Sequence, residues 1–135
     1  MKKIMVFGTF DIFHPGHKNF FEQARTYGDC LIVVIARDKT VLEVKGVLPK
    51  NNENVRLKMV RESNLVDRAV LGSLGDKYEI IKEKKPDVIC LGYDQRFFTD
   101  KLEEKLEEFD LEDTVIVKMR SYHPEIYKSS KYIKR

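Results

Sequence analysis

The chain has 135 residues, 42% apolar and 35% charged, with a formal net charge of +3. That length supports one domain with its own core and no disulfide or metal staple, so residues 1–135 read as a single unit. No apolar run approaches the ~20 residues of a bilayer span, the start lacks a signal-peptide pattern, and so small a net charge gives no argument for nucleic acid; the expectation is a cytoplasmic protein that binds neither nucleic acid nor membrane.

Ile4-Met5-Val6-Phe7 is a short apolar run of the kind that forms a buried strand. It is followed by Gly8-Thr9-Phe10-Asp11-Ile12-Phe13-His14-Pro15-Gly16-His17, which holds two of the three histidines. Phe20, Phe21, Ala24 and Tyr27 then recur at helical spacing. His14 and His17 therefore fall at a helix start, where unpaired N–H groups and the macrodipole favour an anion. Gly8 allows close approach of a ligand to the backbone, and Gly16 a tight turn under a phosphate.

After a turn at Gly28-Asp29, the β-branched run 30–36 predicts a strand buried on both faces. Residues 39–54 read as a long loop, because Gly46, Pro49 and Asn51-Asn52 break any period. Residues 53–65 form a helical pattern, with Val55, Met59 and Val60 inward and Arg56, Lys58, Arg61 and Glu62 mainly outward. Strand 68–71 ends in Gly72-Ser73, a helix spans 78–85, and strand 87–91 ends in Gly92-Tyr93-Asp94-Gln95. Leu102, Leu106 and Phe109 mark an amphipathic helix, 114–117 a fifth strand, and 129–135 a short terminal helix.

Alternating strands and helices predict an α/β fold: an open, doubly wound sheet of five parallel strands. Such sheets bind ligands beyond the carboxyl ends of their strands, where the strand order reverses. The His14–His17 turn, Asp94 and the basic stretch from Lys118 to Arg135 all follow strands. That stretch suits a phosphate-rich ligand or a solvated tail. Cys30 and Cys90 are isolated and read as buried thiols. No Walker-type phosphate loop and no Gly-x-Gly-x-x-Gly occurs, and nothing beside the histidines and Asp11 completes a zinc set.

Gly8-Thr9-Phe10-Asp11 with His14-Pro15-Gly16-His17 resembles the signature of the HxGH, cytidylyltransferase-like nucleotidyltransferases, whose Rossmann-like fold matches the predicted sheet. Arg37-Asp38-Lys39-Thr40-Val41, Lys45-Gly46, residues 56–60, residues 66–72, Pro86-Asp87 and Gly92-Tyr93-Asp94-Gln95 resemble the archaeal FAD synthases in order and spacing. Glycerol-phosphate cytidylyltransferases and sugar-phosphate adenylyltransferases are similar at the opening, but usually carry Ser/Asn-x-Asp where this chain has Ala36-Arg37-Asp38.

The resemblance implies transfer of AMP from ATP to FMN, giving FAD and pyrophosphate. It implies that His14 and His17 hold the phosphates and stabilise the transition state, and that Lys45 reaches them, with Arg56 a lesser candidate. Thr9, Phe10, Pro15, Gly16, Asp94, Tyr122, Ser129 and Ser130 would contact the nucleotide. Where the family tends to have Ser-Thr-Ser/Thr, this chain has Lys128-Ser129-Ser130. A divalent cation held through the triphosphate and a homodimer are implied as well. Glycerol-phosphate or sugar-phosphate transfer, and a nucleotide sensor without turnover, remain open at this point.

Overall fold

The computed structural model describes residues 1–11, 15–92 and 101–119. Five strands form one sheet: β1 (Lys3–Gly8), β2 (Cys30–Ile35), β3 (Arg68–Leu71), β4 (Val88–Leu91) and β5 (Val115–Lys118). All neighbours are parallel, in the order β3-β2-β1-β4-β5, so the order reverses between β1 and β4. In the middle of the sheet Val6 pairs with Val33 on one side and Cys90 on the other.

Successive strand residues point to opposite faces, which divides the core in two. Ile4, Val6, Leu31, Val33, Val88 and Cys90 pack with Phe21 and Ala24 of α1 (Pro15–Arg25) and Val60 of α3 (Glu53–Arg61). Met5, Phe7, Ile32, Val34, Ile89 and Leu91 pack with Ile80 and Ile81 of α4 (Glu79–Lys84) and Leu102 and Leu106 of α5 (Leu102–Glu108). Two helices on each face make the doubly wound sheet that alternation predicts. The predicted terminal helix 129–135 lies outside the described residues.

Two local expectations are overturned. Residues 39–54 are not one loop, because α2 (Asp38–Lys45) occupies their first half. Gly46, counted as a breaker, is the helix's C-cap: at φ 81° its N–H reaches the Leu42 carbonyl. Asn52, also counted as a loop residue, is the N-cap of α3 and accepts from the Val55 N–H at 3.0 Å.

The second correction concerns the face of α3. Val55 is 41% exposed, whereas Arg56 is fully buried. Arg56 and Val60, four apart, share the inward face. Charge alone points Arg56 outward, but a guanidinium goes inside where enough acceptors meet it.

Among the described residues no helix is long and apolar enough to cross a membrane. Both cysteines are free; Cys90 is buried and Cys30 only half-buried. Burial pushes the Cys90 thiol up to about 12, far from thiolate formation near neutrality. At pH 8 the native protein should therefore accept one thiol label, on Cys30, and a second only in denaturant; mass spectrometry of the labelled protein reads this directly.

Candidate active site

The site is built on the turn leaving β1, beside the point where the strand order reverses. Pro15 occupies the first position of α1, where its missing N–H costs nothing. No carboxylate stands in the first turn of α1 to neutralise the positive helix end, and Gly16 and His17 follow within that turn.

His17 is half-buried and meets the ring of Phe10 edge-on, with centroids 5.1 Å apart at 76°. Phe10 is itself buried and packs on Phe21 at 5.3 Å. To turn inward its backbone takes φ 52°, which costs about 1 kcal/mol in a residue with a Cβ. Its ring folds back over Gly8, where a Cβ would stand 2.6 Å from Cζ of Phe10. Gly8 thus makes room for Phe10 rather than for a ligand, and Phe10 in turn supports His17. The ring of Phe10 belongs to the core, and the residue as a whole is buried.

Lys45, in the last turn of α2, places Nζ 3.4 Å from Oγ1 of Thr9. The ammonium expected to reach phosphates therefore stands at the end of β1, on an ordered helix rather than a loop. Of the predicted site residues, Thr9, Phe10, Pro15, Gly16, His17 and Lys45 are described and gather around this turn. His14, Asp94, Tyr122, Ser129 and Ser130 lie outside the described residues.

Arg56 is a different case. Its guanidinium donates to the carbonyls of Asn51 at 3.0 Å, Thr9 at 2.9 Å and Ala36 at 2.8 Å, and to Oδ1 of Asp38 at 2.7 Å. Fully buried, with four of its five N–H donors engaged by the protein, it positions the turn instead of meeting a phosphate. Asp38 and Glu53 then clasp each other: each backbone N–H donates to the other's carboxylate, at 2.8 and 3.3 Å. Arg37 closes the network with Glu53 at 3.1 Å and the Gly72 carbonyl at 2.7 Å.

Asp11 was missed as a structural clamp. Its carboxylate accepts from the backbone N–H of Lys50 at 2.7 Å and of Asn51 at 2.8 Å, and its carbonyl from Nδ2 of Asn51 at 2.7 Å. The Lys50 N–H leads in holding the Asp11 carboxyl below its usual 3.8, helped by Asn51 and the charge of Arg56; desolvation opposes this. The available signal was chemical: short acidic side chains in turns characteristically accept from backbone N–H groups. Among the described residues no three His, Cys, Asp or Glu side chains group to hold a metal. Asp11, facing N–H donors, is not arranged as a cation ligand.

Comparison with known proteins adds to this geometry. The family profile described as Cytidylyltransferase-like matches residues 5–135. A FAD synthase of Methanosarcina barkeri is 46% identical over 116 residues, spanning 86% of this chain and 82% of its own. One from Archaeoglobus profundus is 43% identical across 100% of this chain and 86% of its own. A solved structure from Thermoplasma volcanium, described as a lipopolysaccharide core biosynthesis protein, superposes with a TM-score of 0.84 at 38% identity, covering 91% of this chain and 99% of that one.

Two predictions follow from the clamps. Arg56→Met leaves three carbonyls and a carboxylate without their donor, and should lower the free energy of unfolding in urea by at least about 3 kcal/mol. The Asp11 carboxyl lies lower in the folded chain than in the unfolded one, so its stabilising effect is complete above 3.8 and fades as pH falls through the folded value. Parent and Asp11→Asn proteins should thus differ in urea midpoint at neutral pH and converge in acid below 3.8.

Proposed function

The chain belongs to the cytidylyltransferase-like family, and from that premise we propose that it is an FMN adenylyltransferase, making FAD and pyrophosphate from ATP and FMN. The FAD synthases that match most or all of its length support the reaction. The observation that carries the site is the meeting of Lys45 with Thr9 at the carboxyl end of β1, before the start of α1, whose first turn has no acidic residue.

The chemistry needs no covalent enzyme intermediate. An oxygen of the FMN phosphate attacks the α-phosphorus of ATP, the bond from that phosphorus to the bridging oxygen of the β-phosphate breaks, and pyrophosphate leaves with the electron pair. What the protein supplies is alignment and charge relief as negative charge builds on the transferring group. In this reading the N-terminus of α1 and the imidazole of His17 face the phosphates, with His14 as its partner in the motif. Lys45 adds a compact cation beside Thr9.

Pro15 and Gly16 shape the helix start, while Thr9 and the Phe10 backbone line the nucleotide's approach. Asp94, Tyr122, Ser129 and Ser130 complete the nucleotide contacts by their match to the family pattern. A divalent cation relieves the charge of the triphosphate when bound. In this reading it is held chiefly through the nucleotide. A cytoplasmic homodimer that engages no nucleic acid belongs to the same reading.

The test is pyrophosphate release with each pairing of ATP or CTP with FMN, glycerol phosphate or a sugar phosphate. Turnover is expected with ATP and FMN; turnover only with CTP and glycerol phosphate, or binding without turnover, would reject the assignment. His17→Ala should fold normally by circular dichroism and lose roughly one hundredfold or more in turnover, the scale of one lost transition-state donor.

A further inference from the structure

Between Lys45 and Lys50 the chain displays two aliphatic side chains, Val47 at 64% and Leu48 at 62% exposure. They stand out because the segment carrying them is tied down at both ends. On one side Gly46 closes α2 through its N–H to the Leu42 carbonyl, and Lys45 reaches Thr9. On the other, the N–H groups of Lys50 and Asn51 are held by Asp11. Both tethers end on the turn after β1, on either side of Phe10.

The pair is therefore displayed beside the phosphate-binding turn. Leu48 is two residues from Lys50, so its Cα lies within roughly 8 Å of the Lys50 Cα. Two lysines flank an apolar pair: the surface suits a ligand with an anionic end and an apolar ring. We propose that Val47 and Leu48 seat the isoalloxazine ring of FMN, with its phosphate directed toward Lys45 and the turn. This rests on the FMN adenylyltransferase reading and deepens it, because it assigns the choice of acceptor to residues outside the motif.

Acceptor chemistry separates the alternatives. A flavin ring covers aliphatic side chains and gains from leaving water. Glycerol phosphate or a sugar phosphate would set hydroxyls against the same side chains and leave them unpaired. A second copy of the chain could also cover the pair, and that outcome has its own signature.

The experiment compares Leu48→Ser with Leu74→Ser, a control at an equally exposed leucine after β3 (63%). KM for FMN and for ATP are measured by pyrophosphate release, and mass by sedimentation velocity. Leu48→Ser should raise KM for FMN by about tenfold, leave KM for ATP and the sedimenting mass in place, and be rescued by Leu48→Met; Leu74→Ser should change neither KM. An unaltered protein that makes FAD while Leu48→Ser keeps its KM for FMN would overturn the seat alone. A fall in mass, with both KM values moving together, would overturn it in favour of an interface between copies. No FAD from the unaltered protein would bring down the reaction and the seat together.

Discussion

The guanidinium of Arg56 ties together segments that the chain delivers separately. The carbonyl of Thr9 ends the first strand's excursion, that of Ala36 ends the second's, and that of Asn51 precedes α3. Parallel strands side by side have no short connection at their carboxyl ends, so something other than the sheet ladder must hold the turns that leave them. A side chain with five donors in a rigid fork can do this where a lysine could not. Asp38 balances the buried charge, and its reciprocal clasp with Glu53 anchors the start of α2 to the start of α3.

From that anchor the side chains around the turn are placed in sequence. Fixing the start of α2 fixes its end, and Lys45 arrives at Thr9. Fixing Asn51 from one side by Arg56 and from the other by Asp11 determines where the intervening segment runs. His17 has a separate support, because Phe10 lies beneath it and Gly8 leaves room for Phe10. The left-handed backbone of Phe10 is a local cost that the core contact with Phe21 offsets.

The sheet was legible because each strand carries its own signal. The runs through Val6, Val33 and Ile89 are apolar without alternation, and helical patterns lie between them, so a parallel sheet covered on both faces follows. The helix start at Pro15 was legible for the same reason: the strand before it and the helical spacing after it lie close together in the chain. The sequence pattern puts Lys45 on a loop where the structure has a helix, since α2 is short and its first turn meets the carboxylate of Glu53, fifteen residues away. Arg56 was turned to the wrong face because its acceptors are backbone carbonyls, and a carbonyl has no letter in the sequence. The role of Asp11 was hidden likewise, its partners being N–H groups of Lys50 and Asn51. What single-sequence reading loses is long-range bonding between a side chain and the main chain.

That loss bears on how a shared motif supports different acceptors. In the proposed reaction the helix start and the histidines would meet what every donor nucleotide has in common, a chain of phosphates. They carry no information about what hangs from the attacking phosphate. Discrimination must come from chain that stands near the motif but is free of its chemistry, and the segment between Lys45 and Lys50 meets that condition. Its ends are fixed by bonds to Thr9 and Asp11, while the side chains of Val47 and Leu48 take no part in those bonds. Such residues can change without disturbing the turn, so acceptor preference can vary while the transfer chemistry stays fixed. The tethers at Thr9 and Asp11 are thus the same ones that hold Val47 and Leu48 within reach of the turn.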